Sequence, residues 1–73
     1  MKPTFVVSFH TTTDALAMKA LGKRWGLAGR LAPIPRQLSA GCGLAWHEPA
    51  ENQAQVLKAL AEAGITPEGT YLV

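Results

Sequence analysis

Phe5-Val6-Val7-Ser8-Phe9-His10-Thr11-Thr12-Thr13-Asp14 runs from an aromatic and β-branched segment straight into a cluster of hydroxyl and carboxylate side chains. The first half predicts a buried strand, Phe5 to Phe9. The second half is a helix start, because these side chains accept hydrogen bonds from the free amides of a first helical turn. The spacing predicts a helix from about Asp14 to Trp25. Ala17, Ala20, Leu21 and Trp25 lie near one face of it, and Lys19 and Lys23 share another. Gly26 suits its C-cap.

Downstream, the sequence predicts a second strand over Arg30 to Ile34, closed by Pro35. Pro35 to Gly41 reads as a loop with one short turn around Arg36 to Leu38. A third strand is expected over Gly43 to His47. Pro49 suits the first turn of a second helix, with Val56, Leu57, Leu60 and Ala61 on one face and an end near Ala63-Gly64. Residues 65–69 read as a turn, and Thr70 to Val73 as a short last strand. The order β-α-β-β-α-β is that of an α+β, ferredoxin-like fold: an antiparallel sheet with two helices on one face.

A chain of 73 residues suits one domain, 1–73. Its core is small, and domains of this size often add disulfides or a metal. A single cysteine rules out an internal disulfide, and no Cys/His cluster has zinc spacing. No metal or other cofactor is expected. A net charge of +2 is too small to argue for nucleic acid, which is not an expected partner. Phe5, Phe9 and Trp46 lack the aromatic-rich motif of an RNA-recognition sheet. No apolar run would span a membrane and no signal peptide is visible, so a cytoplasmic protein is expected. A lone cysteine stays reduced in that compartment.

That cysteine, Cys42, sits between Gly41 and Gly43, after a loop carrying Arg36. Packing alone would not ask for glycine on both sides. Glycines let the chain turn sharply and let another molecule approach. The expected topology gathers Cys42, Arg36, His10, Thr11, Thr12, Thr13 and the first helix N-terminus at one sheet edge. A helix N-terminus and a guanidinium both favour a thiolate. Ser39-Ala40-Gly41 could form a nest of amides for an anion. His10 could hold the thiol proton, though a strand-end or capping role explains it better. Five strand steps place His47 about 15 Å or more from Cys42, which argues against a Cys42–His47 dyad. Thr11 to Thr13 are sufficiently explained as caps. Lys19, Lys23 and Arg24 read as a solvated helix face, with partner docking the less favoured alternative.

Pro33-Ile34-Pro35-Arg36-Gln37-Leu38-Ser39-Ala40-Gly41-Cys42-Gly43-Leu44-Ala45 resembles the signature of a bacterial domain family of unknown function, described as selenium/sulfur carrier protein-like. The likeness extends from Phe5 to Tyr71. Cys42 matches the family's cysteine, Pro35 and Arg36 its Pro-Arg, Ser39 its first serine and Gly43 its glycine. Thr13 stands where the family often has histidine, and His47 where arginine is frequent. Ala40 and Gly41 replace small polar positions, and Lys19 falls near a commonly acidic one. The resemblance implies a sulfur or selenium carrier that uses Cys42 as persulfide or selenopersulfide acceptor. Its partners would be donor and acceptor proteins, and a homodimer stays open. The alternative is an interaction or regulatory domain in which Cys42 is structural. Whether the chain is an enzyme is left open.

Overall fold

Thr11 has an extended backbone (φ −138°, ψ 157°), and its Oγ1 accepts from the Asp14 amide at 3.1 Å. This cap starts the first helix at Thr12, earlier than the expected Asp14, because Thr11 alone is enough to close the first turn. The computed structural model describes residues 3–35, 37–38 and 43–73. Among them the order is β1 (Thr4–Ser8), α1 (Thr12–Trp25), β2 (Arg30–Pro33), β3 (Leu44–Pro49), a short 3₁₀ turn (Ala50–Asn52), α2 (Gln53–Ala63) and β4 (Gly69–Leu72). The α+β, ferredoxin-like reading holds. Replacing Thr11 with Ala is expected to cost about 1 kcal/mol, read by chemical denaturation.

The strands form one antiparallel sheet in the order β2-β3-β1-β4. Its register pairs Val7 with Trp46 and Phe5 with Glu48, and these positions face the helices. Phe5, Val7, Phe9 and Trp46 meet Ala15 and Met18 of α1 and Val56 and Leu60 of α2 in one apolar cluster. The other face carries Val6 opposite His47, and Ser8 opposite Ala45. Two-residue periodicity produces this division.

The structure corrects the helix faces. The buried stripe of α1 is Ala15, Met18 and Gly22, whereas Ala17 and Ala20 are exposed and Leu21 and Trp25 half-buried. Alanines around the whole helix blur its apolar phase. Gly22 settles it: a Cβ there would press on the Trp46 indole, 2.7 Å from Cζ2, so the helix approaches β3 at its glycine. On α2, Ala59 joins Val56 and Leu60 inside, while Leu57 and Ala61 face out.

Pro49 is also reassigned. It ends β3 and precedes the 3₁₀ turn, and α2 begins only at Gln53. Strand pairing of Thr4 with Pro49 extends β3 past His47, so His47 lies inside the strand and not at its end.

Candidate functional site

Ser8 pairs with both Ala45 and Gly69, and Pro33 pairs with Leu44. The ends of β1 and β2 and the starts of β3 and β4 therefore share one sheet edge, from which α1 also departs. This edge holds the described anchors of the loop between β2 and β3. The Ile34 amide donates to the Gly43 carbonyl at 3.1 Å, extending the β2–β3 ladder by one pair. The Leu38 amide donates to the Pro35 carbonyl at 2.9 Å, which closes a tight turn where the sequence predicts one. Cys42, Arg36, Ser39, Ala40 and Gly41 lie outside the described residues.

Gly43 has φ +74°, the left-handed region that side chains disfavour. A Cβ there would meet nothing within 4 Å. Its glycine is thus explained by backbone conformation, and not by close approach of a neighbour within the described fold.

His10 is exposed between the buried Phe9 and the Thr11 cap. Thr12 and Thr13 are exposed in the first turn of α1, where amides lack intrahelical acceptors. Asp14 in the same turn already places a negative charge at this helix end. A second anion here shares the helix field with that carboxylate. The His47 Nε2 lies 3.2 Å from the Pro33 carbonyl oxygen. Strand spacing did not foresee this contact, which ties the imidazole to the last residue of β2.

The sequence reading missed Glu48. Its side chain is fully buried on the helix face of β3. Oε1 accepts from the Gly29 amide at 3.0 Å and from the Trp46 Nε1 at 2.8 Å. Oε2 accepts from the Ala28 amide at 3.1 Å and from the Asn52 Nδ2 at 2.8 Å. Four donors match an acceptor-only carboxylate. The group joins the α1–β2 connection, the core indole and the turn before α2. A signal was present: Glu48 follows Trp46 by two residues, and so shares its buried face once the strand continues that far.

A family model described as "Putative Se/S carrier protein-like" matches residues 4–72. The chain belongs to this family. No curated protein and no solved structure matches it. The match spans β1 through β4, so family membership covers the sheet, both helices and the segment between β2 and β3 in which the cysteine falls. In this Se/S carrier protein-like chain, the described part of the candidate site comprises the Thr11 cap, the Ile34–Gly43 hydrogen bond and the positive-φ Gly43. No helix of the described residues is long and apolar enough to cross a membrane.

Proposed function

We propose that this protein carries sulfane sulfur or selenium, with the Cys42 thiolate as its working group. Family membership over residues 4–72 supports the reading, together with the presence of one cysteine in the whole sequence. A carrier needs one nucleophilic thiol and no resolving partner, since a second thiol would release the cargo by forming a disulfide.

The transfer balances without an added oxidant. The Cys42 thiolate attacks the outer sulfur of a donor persulfide. The new S–S bond forms as the donor's S–S bond breaks, and the donor departs as a thiolate with the electron pair. The acceptor protein then repeats the step on the outer sulfur held by Cys42. A selenium atom follows the same course. Arg36 and the start of α1 would serve the anionic persulfide through charge and free amides. Donor and acceptor proteins are the partners in this reading, in a cytoplasmic setting where thiols stay reduced.

The test is mass spectrometry of the intact protein after incubation with a cysteine desulfurase and cysteine. Gain of one sulfur atom, located on Cys42 and removed by a thiol acceptor, is expected. Absence of the adduct across several donors, with the thiol freely alkylated, would refute the proposal.

A further inference from the structure

Between Asp14 and Glu48 the sequence contains no carboxylate, while Lys19, Lys23, Arg24, Arg30 and Arg36 all fall in that span. The fold concentrates part of this imbalance on one surface. A groove of about 350 Å³ opens between α1 and the outer strand β2. Leu16, Leu27, Leu31 and the edge of Trp46 form its apolar lining. Lys19, Lys23 and Arg30, all exposed, form its rim. Leu16, Lys19 and Lys23 follow at i, i+3 and i+7, so one face of α1 presents a leucine beside two ammonium groups. Leu16 is 56% exposed, so the apolar lining formed with Leu27 and Leu31 continues onto the open surface of α1. None of the residues lining this groove is acidic. Glu48 lies behind the wall at Gly29 and Trp46, but it is fully buried and engaged by four donors.

We propose that this groove docks an acidic protein segment anchored by an aliphatic side chain. Leu27 and Leu31 are half-buried at the base of a concavity, where a protruding side chain reaches them. Carboxylates flanking that anchor would meet Lys19, Lys23 and Arg30, giving charge complementarity around an apolar centre. Nucleic acid fits less well, because the groove's aromatic ring, Trp46, is 3% exposed and offers no face for stacking. A flat bilayer would touch Leu16 and leave the base empty. The inference does not require a reactive Cys42, so it stands or falls separately from the carrier chemistry.

The ¹⁵N-labelled full chain should be titrated with a short synthetic peptide bearing two central leucines flanked by glutamates. Saturable shifts are expected at Leu16, Lys19, Lys23, Leu27, Leu31 and the Trp46 indole, with α2 and β4 unmoved. Affinity should fall about tenfold with glutamine in place of glutamate, with serine in place of leucine, or in the Lys19→Glu/Lys23→Glu protein. Leu16→Ser keeps the charge and the exposed site, and should weaken binding as well. Equal binding of the glutamine peptide, shifts centred on α2, or tighter binding of a thymidine oligonucleotide or phosphatidylglycerol vesicles would overturn the proposal.

Discussion

Replacing Glu48 with Ala should destabilise the fold by about 3–5 kcal/mol, because several buried neutral donors lose their acceptor at once and each orphaned group costs about 1–3 kcal/mol before water relieves it. The Ala28 and Gly29 amides, the Trp46 Nε1 and the Asn52 Nδ2 would all lose their acceptor. A domain of this length has a total stability of only about 4–11 kcal/mol. The loss is therefore a large share of the whole, on the order of 20 °C in melting temperature. Glu48→Gln should cost less, about 1–3 kcal/mol. Its amide retains one acceptor oxygen but turns an NH₂ toward groups that only donate. The order parent, Gln, Ala in thermal melts followed by circular dichroism checks the argument. Coincident melts would show that the connection between α1 and β2 is held by something other than this carboxylate. Trp46 fluorescence should shift in step, because its indole N–H is one of the four donors.

On the carrier reading, Cys42→Ser should abolish the persulfide adduct completely, with the melting curve retained, because the chain has a single cysteine. The parent protein's alkylation rate should titrate with a midpoint below the value near 8.5 of a free thiol. If Arg36 serves the thiolate as proposed, Arg36→Ala should raise that midpoint by removing a positive charge that favours the anion. The sign follows from charge: a cation favours the thiolate, so losing it delays deprotonation to higher pH. A midpoint at the free-thiol value, unmoved by Arg36→Ala, would detach Arg36 from the thiol. Slow alkylation at every pH would point to a structural cysteine.

Most elements were legible locally. Thr11 and Asp14 mark a helix start by their hydrogen-bonding chemistry, and Gly26 and Gly64 mark the ends, each as a left-handed cap. The β3 boundary was not legible, because Pro49 has two local readings. It suits the first turn of a helix and also the last residue of a strand. Pairing with Thr4 selects the second, and that pairing is a tertiary fact. The miss carried Glu48 with it, since a strand ending at His47 leaves the glutamate in an apparent turn. The phase of α1 was obscured in the same way: Ala15, Ala17 and Ala20 are equivalent until Trp46 requires a glycine opposite it.

The sequence by itself determined the order of elements, the antiparallel α+β topology, the single thiol and its family motif, because hydrophobic period, caps and composition are local properties. Only the tertiary structure decided which face of α1 is buried and that Glu48 is an internal acceptor. It also decided that Lys19, Lys23 and Arg30 rim one apolar groove. Each of these depends on which strand lies beside which helix, and contacts between distant residues leave no periodic trace in the chain.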